Sequence, residues 1–468
     1  MTNKSKMTLL PINGTDHLDK SNNEYAIYTA LNRGIPSAWD GQKDGNRKAL
    51  YILKKHTKEI KTISLAGEMI SSGLYLHGDA AAAGGISGLA AHYKNNLPLI
   101  EGIGNFGSRK QPGAYGAPRY TYVNQSSVTK EVLYPDIDLS PMKPNYDGSV
   151  MEPKHFLPIV PIGLLNGAEG MAMGFSTNIF PHSFSDIIQA TIDVLDGKMP
   201  ALIPKYDCFN SDYPIVLAKN KFEFVGDVEI INDQTVAITN LPPNYTVEKI
   251  MEKLYDMSDD PNSPVRDIEE DSNDSILIVV KFERGTCKNW DKDDAIDFLE
   301  LYKRDTQRLV MVDWDGETIR QFTSAEQYVI EFVEKRFGFY VVRYQTYLDE
   351  TLHKLAQWSL VKACYDGNLP GKLKKFNSKQ ELVDEISSIN NKKKCGANKK
   401  QIESVASLPT YRWVKDNYQE VLDKITSLEE DRDYYEELLD DHDLIWAIYR
   451  EEVNALQAKT YDTGREAV

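Results

Sequence analysis

Two long glycine-poor stretches in the last third of the chain restrict its architecture more than any other feature. In the first, Phe337, Val341, Tyr344, Leu348, Leu352 and Leu355 recur three or four residues apart. In the second, Val414, Tyr418, Val421, Ile425, Leu428 and Tyr435 do the same. That spacing puts an apolar stripe along one face of an α-helix, and such a stripe must be buried against a partner. Two long helices with a compact segment between them predict an antiparallel coiled coil capped by a small helical globule. Such an arm serves spacing or dimerisation. The basic runs LKKFNSKQ and NKKKCGANKK in the intervening segment read as solvated loops.

The rest of the chain is built differently. With 468 residues it is too long for one compact core, so several domains are expected. Between 186 and 320, strand-like pieces such as EIINDQTVAITNLP and SILIVVKFE alternate with charged loops, which predicts an α+β domain with an antiparallel sheet. Upstream, Ser21 is placed to cap a helix through EYAIYTALNR that ends at Gly34 and Pro36. A second helix is expected over NRKALYILKKHTKEI and a third over SLAGEMISSGL. Asp79 is placed to cap a fourth, AAAAGGISGLAAHY, composed almost wholly of small residues. Helix, turn and small-residue helix, followed by an extended basic loop, outline a winged helix-turn-helix. Small-residue helices also pack closely on other protein helices, so composition leaves both readings open.

Charge separates the same regions. Residues 1–130 hold 16 Lys and Arg against 9 Asp and Glu, whereas the remainder holds 38 against 61. A basic front on an acidic body confines contact with a polyanion to one region. The four cysteines lie far apart with no CxxC pair, which argues against a zinc site and a disulfide framework and fits a reducing cytoplasm. The N-terminus lacks a signal-peptide core, and no apolar run is long enough to span a bilayer.

Several chemistries are missing. GDAAAAGG lacks the Lys-Ser/Thr end of a Walker A loop, and HExxH, GxSxG and a strand-flanked GxGxxG do not occur. Asp313-Trp314-Asp315-Gly316 reads as a β-turn, and DKDDAID at 291–297 as a helix N-terminus. The remaining candidate is the basic, glycine-rich loop GNFGSRKQPGAYGAPRYTYV at 104–123, with Tyr115, Tyr120 and Tyr122. A phenol has an ordinary pKa near ~10, so attack on a phosphodiester needs cations that stabilise phenolate and the developing phosphoryl charge. Arg119 adjoins Tyr120, and Arg109 and Lys110 are placed to steer phosphate. Composition does not choose among the three tyrosines.

The order of the surrounding motifs along the chain does. RGIPSAWDGQKDGNRKALY (33–51), YLHGDAAAAGG, EGIGNFGS, APRYTYV and NYDGSVMEPKHFLPIVPIGLLNGAEGMAMGFSTNIFPHS resemble, in sequence order, five motifs of bacterial gyrase A and topoisomerase IV breakage–reunion subunits. The resemblance covers residues 33–183 at motif level and implies a type IIA DNA topoisomerase. Tyr120 would then be the nucleophile that forms a 5′-phosphotyrosyl bond, and Arg119 would stabilise the transferred phosphoryl group. Arg33, Lys43, Arg47 and His77 match positions that hold DNA backbone near the cut. Met171 takes the position of an isoleucine that wedges between base pairs. There are departures: Asn46 replaces a usual histidine, Tyr75 stands where many members have histidine, and Pro118 precedes Arg119. Ala80 and Gly84 replace the hydroxyl and acid that matter for quinolone binding.

The fold class implied is α+β and multidomain: a winged-helix DNA-binding domain, an α/β tower domain, and a long antiparallel coiled coil with a helical exit-gate globule. The expected divisions are an N-terminal arm over 1–20, the winged helix over 21–145 and the tower over 146–325. The coiled coil follows over 326–445, with its dimerisation globule at about 356–412, then a C-terminal helix or tail over 446–468 without a β-pinwheel. That compactness resembles the medium subunit of T-even-type phage topoisomerases. The expected partners are double-stranded DNA, a second copy joined through the C-gate, and a separate ATPase/TOPRIM subunit that binds Mg²⁺ and ATP. No membrane partner is expected, and the location is the bacterial or phage-infected host cytoplasm. Two other readings are a non-catalytic winged-helix DNA-bending protein and a tyrosine recombinase, which links to 3′ ends.

Overall fold

The structure is a computed structural model that describes residues 14–243, 245–273, 275–373, 376–409, 413, 416–459 and 461. Residues 1–13 of the expected arm, Val414 of the second apolar stripe and tail residues 462–468 lie outside the described residues. The chain forms two compact units, Met1–Arg336 with Glu452–Val468, and Phe337–Glu451.

The first unit begins with helix α1 (Gly14–Thr29), which runs into a π-helical turn, Ala30–Gly34. Ser21 therefore lies inside a helix instead of capping one. Three short helices follow: α2 (Asp44–Leu53), α3 (Thr62–Ser71) and α4 (Asp79–Ala90), with strand β1 (Ile60–Lys61) before α3. They pack on one another around Leu50, Ile52, Leu65, Ala66, Met69 and Ile86. Helix α2 is shorter than expected, and the reason is tertiary. Gln125 Nε2 donates to the carbonyls of Leu53, Lys54 and His56 at 3.1, 3.1 and 2.6 Å, supplying partners as the helix ends. Asp79 is the first residue of α4 and Gly78 its cap, without a side-chain capping bond. Strands β2 (Ile100–Ile103) and β3 (Tyr122–Gln125) join β1 in an antiparallel sheet ordered β1–β3–β2. Three helices against a small sheet, with a long loop between β2 and β3, make the winged helix.

Two hairpins follow, β4 (Met142–Pro144) with β5 (Met151–Pro153), and β6 (Ala168–Ala172) with β7 (Phe175–Ile179). Helix α5 (Phe184–Leu195) precedes strands β8 (Ile215–Ala218) and β9 (Lys221–Val225). A four-stranded antiparallel sheet, ordered β10–β11–β13–β12, comprises β10 (Asp227–Asn232), β11 (Thr235–Asn240), β12 (Val265–Glu270) and β13 (Ile278–Phe282). Helices α6 (Val247–Asp259) and α7 (Lys292–Leu299) share its core through Ile250, Leu254, Ala295 and Leu299. Asp291 and Asp294 form a capping box at the start of α7, as the carboxylate run there predicts. Strand β14 (Tyr302–Thr306) pairs with β9, and β15 (Leu309–Val312) with β16 (Ile319–Phe322). The Asp313–Gly316 sequence is the turn of that last hairpin, with Gly316 at φ +70°.

Helix α8 (Ala325–Asp366) carries the first apolar stripe, and the units divide after its Arg336. Short helices α9 (Leu369–Lys372), α10 (Lys379–Lys393) and α11 (Lys399–Ala406) form the globule around Leu360, Cys364, Ile386 and Val405. The chain returns through α12 (Asp416–Asp440) and α13 (His442–Gln457). Contacts within the second unit run antiparallel: Tyr340 against Tyr449 at 4.5 Å, Tyr344 against Tyr435 at 6.2 Å, and the Tyr418 hydroxyl on Asp366 at 2.8 Å. Among the described residues no helix is long and apolar enough to cross a membrane.

Candidate nucleic-acid interface

The loop between β2 and β3 is held at its base by the start of α3. Backbone N–H groups of Thr62 and Ile63 donate to the Thr121 and Pro118 carbonyls at 3.0 and 3.1 Å. Those donors have no partner inside their own helix, so the loop satisfies them. The Thr62 and Thr121 hydroxyls meet at 2.8 Å in the interior. Between these ties a tight turn, closed by Tyr120 N–H on Ala117 O at 2.8 Å, pushes Tyr120 outward. Its side chain is 69% exposed, and the Arg119 guanidinium lies 4.7 Å from the ring centre. The Tyr115 backbone bridges back to Phe106 and its side chain is 53% exposed, with no cation over its ring among the described residues, and the Tyr122 ring lies under Lys61 Nζ at 5.8 Å. Geometry therefore distinguishes the three phenols that composition left equivalent.

Arg109 and Lys110 stand elsewhere than expected. Arg109 is buried and donates to Asn240, Leu241 and Pro242. Lys110 Nζ reaches Ser272 O at 3.0 Å and the Glu270 carboxylate at 2.8 Å. Both cations are spent on the four-stranded sheet, at partners too distant in sequence for any local motif to show.

Arg33, Lys43 and His77 line one groove of about 380 Å³, together with Tyr28, Tyr75 and Tyr146. The π-helical turn presents Arg33 over the Tyr28 ring at 5.5 Å, and His77 meets Tyr75 edge-on at 5.2 Å. Lys43 Nζ donates to Glu169 O at 2.7 Å; burial and the charge of Lys94 hold its pKa below the usual lysine value, with Glu169 opposing. Burial pushes the Asp44 carboxyl up, but Lys48, Arg47 and Lys143 outweigh it and hold it below the ordinary range. Tyr28, Lys94 and Lys143 carry no motif signal of their own and emerge only from the geometry; Tyr146 belongs to the NYDG motif, which does not by itself place it in the groove.

Arg47 departs from the expected role. It is 4% exposed, with Nε on Asp40 Oδ2 at 2.7 Å, Nη2 on Asp40 Oδ1 at 3.1 Å and Gln42 O at 2.8 Å. A guanidinium engaged by a buried carboxylate holds the loop before α2 in place and offers no surface to a phosphate.

The histidine gives the groove a pH response. Burial, then Arg33 and Lys48, hold the His77 imidazole below its ordinary value, with Asp44 opposing. A phosphate placed there would stabilise the imidazolium, so binding of a polyanion would take up a proton. Affinity for a polyanion should then rise as pH falls through the ordinary imidazole value of about 6.5, by at most about tenfold per pH unit. His77→Gln should flatten that slope in an anisotropy titration; an unchanged slope would remove His77 from the interface.

The β6–β7 hairpin stands beside this groove. Its tip exposes Met171 at 85% and Met173 at 68%. Glycine lets it approach: a Cβ on Gly34 would lie 2.8 Å from Ala172 Cβ, and one on Gly170 would overlap the Gly34 carbonyl oxygen. The backbone carrying Met171 is thus fixed against the turn carrying Arg33. The groove lining includes neither Arg119 nor Tyr120, which form a separate feature on the loop. Among the described residues no group of three or more His, Cys, Asp or Glu is arranged to hold a metal ion.

A family model for the A-type subunit of DNA gyrase/topoisomerase IV matches residues 33–454. The chain belongs to that family. Among curated members of the wider group, DNA topoisomerase 2 top-2 of Caenorhabditis elegans is 32% identical over 343 residues, covering 69% of this chain and 22% of the relative. DNA topoisomerase 2 of Meyerozyma guilliermondii is 30% identical over 369 residues, covering 76% and 26%. This member of the gyrase/topoisomerase IV family thus spans about a quarter of the length of those relatives. In fold it is similar to the DNA-binding, cleavage and re-ligation domain of Plasmodium falciparum topoisomerase II. That match has a TM-score of 0.81 and 21% identity, covering 94% of this chain and 64% of that one.

Proposed function

We propose that this chain is the DNA cleavage and religation subunit of an ATP-dependent type II DNA topoisomerase. The observation that carries the reading is Tyr120, the outward-facing phenol of the wing with a guanidinium over its ring, in a chain of this family. Tyr120 Oη attacks a backbone phosphorus, its proton leaves, and a 3′-hydroxyl departs as a 5′-phosphotyrosyl bond forms. The reverse attack by that hydroxyl reseals the strand. Arg119 balances the charge that develops on the phosphoryl oxygens. Arg33, Lys43 and His77 hold the backbone of the cut duplex. Met171 on its exposed hairpin is an apolar wedge that unstacks a base step and bends the DNA. One tyrosine per protomer makes a double-strand break in a dimer, through which a second duplex passes.

Mg²⁺ would supply further charge neutralisation at the phosphate. The described residues of this chain do not fit a metal site, so no step here is written through one. Binding of Mg²⁺ and ATP by a separate ATPase/TOPRIM subunit, dimerisation through the second unit, and a place in the DNA-containing cytoplasm belong to the same proposal. Co-purification of a second chain with those sites supports it; finding them in one longer polypeptide with this chain overturns the separate-subunit part.

Covalent capture tests the central claim. With its partner and Mg²⁺, the chain should remain attached to 5′ ends of duplex DNA after denaturation, and digestion should place the nucleotide on Tyr120. Attachment at 3′ ends would mean recombinase chemistry. DNA bending without any adduct would favour the non-catalytic reading.

A further inference from the structure

We propose that Arg109 is a positioning residue for the Tyr120 nucleophile: its buried guanidinium seats the tip of the wing loop on the four-stranded sheet. The inference rests on the cleavage reading above and adds a residue and a partner surface to it.

The seat is unusual in its chemistry. Arg109 is 7% exposed, with Nη1 donating to Asn240 Oδ1 at 2.9 Å and Nη2 to Leu241 O at 2.6 Å and Pro242 O at 3.2 Å. Its Cζ lies 4.2 Å from the centre of the Phe209 ring. Its Nε finds no acceptor among the described residues. Desolvation pulls this guanidinium down to about 10, with the nearby Cys208 only partly opposing. A buried cation facing carbonyls, an amide and a ring, with no carboxylate bonded to it among the described residues, is an expensive way to gain stability. What the arrangement does supply is geometry, because a planar fork with fixed donors sets both distance and orientation.

The loop transmits that geometry. Gln111 N–H donates to Ser108 Oγ at 3.1 Å and Ala114 N–H to Gln111 O at 3.1 Å. Phe106 bridges Tyr115, and Gly116 N–H donates to Asn105 O at 2.8 Å. The tyrosine turn then closes on Ala117. Residues 105–120 are therefore one hydrogen-bonded piece, tied at its base to α3 and at its tip to the sheet. Asn240 belongs to the seat as well, since its Nδ2 donates to Phe209 O at 3.2 Å beneath the stacked guanidinium.

The test separates cleavage rate from DNA affinity in the assembled enzyme. Arg109→Ala should slow single-turnover cleavage about 10- to 100-fold, the scale of a displaced reacting group. DNA affinity should stay within about twofold, because a buried guanidinium touches no phosphate. Asn240→Ala should slow cleavage too, and the double variant should be no slower than the slower single one. Millimolar guanidinium should restore part of the rate to Arg109→Ala and none to Asn240→Ala. Arg109→Lys, which keeps the charge and loses the fork, covers the case in which the alanine variant does not fold; its rate should lie between the two. Wild-type cleavage by Arg109→Ala or Arg109→Lys, a rate loss matched by an equal loss of affinity, or additive single effects each overturn the proposal. The unmodified chain is the control: if it forms no adduct the cleavage reading itself fails, whereas normal adduct formation with an indifferent Arg109 defeats only this inference.

Discussion

Tyr120→Phe should abolish the covalent DNA adduct while leaving DNA binding unchanged. The substitution removes one oxygen. The ring keeps its place beneath Arg119, and the turn on Ala117 and the Thr62–Thr121 contact do not involve the phenol. Loss of the adduct with intact affinity therefore isolates the nucleophile from the scaffold. Tyr115→Phe and Tyr122→Phe are the matched controls, since both phenols stand on the same loop or strand and neither adjoins Arg119 in sequence. Each should cleave at close to the normal rate. Arg119→Ala should leave a slow enzyme, down about 10²- to 10³-fold, the usual cost of removing one donor from a developing oxyanion. An adduct that persists in Tyr120→Phe and maps to another side chain would reassign the chemistry altogether.

Local regularities in the sequence are the ones that carried through to the structure. The three-to-four spacing in the last third became α8 and the returning α12, because a helical stripe is periodic whatever it packs against. The carboxylate run at 291 became a capping box, and Asp313–Gly316 a hairpin turn, for the same reason. What failed was any reading that required a partner remote in sequence. Helix α2 ends at Leu53 because Gln125 comes from a strand some seventy residues later. Arg109 and Lys110 look like free cations on a basic loop until Asn240 and Ser272 are placed beside them. Arg47 matches, in the resembling motif, a position that holds DNA backbone. Its carboxylate, Asp40, is only seven residues away but lies in a segment whose path no periodicity predicts. The site divides along the same line. Motif order selected Tyr120, Arg33, Lys43 and His77, yet nothing in that order revealed that the last three share a groove with Tyr28 and Tyr146.

Acidification should destabilise the first unit steeply between about pH 6.5 and pH 4, through two histidines that take no part in the proposed chemistry. His155 is 4% exposed and stacks on Trp39 at 4.8 Å, with Nδ1 donating to Phe156 O at 3.1 Å. His182 is fully buried, with Nδ1 donating to Phe180 O at 3.0 Å. Burial pushes both imidazoles down to about 4 from an ordinary 6.5. Asp40 partly opposes this at His155, where Arg47 and Lys154 add to it; the Phe180 carbonyl and Glu326 partly oppose it at His182. Because the folded pKa lies below the unfolded one, the unfolded chain binds more protons throughout this window. Stability is complete above the unfolded value, falls as pH drops, and levels off below the folded one. Each histidine contributes about 1.4 kcal/mol per pH unit, so the pair removes on the order of 6 kcal/mol by pH 4. That is comparable with the whole stability of an ordinary domain, about 5–15 kcal/mol. Urea unfolding followed by circular dichroism from pH 8 to pH 4 should show a slope approaching two protons. His182→Asn, which keeps a donor toward Phe180 O, should remove about one of them. A flat profile across this window would mean that neither imidazole stays neutral on folding.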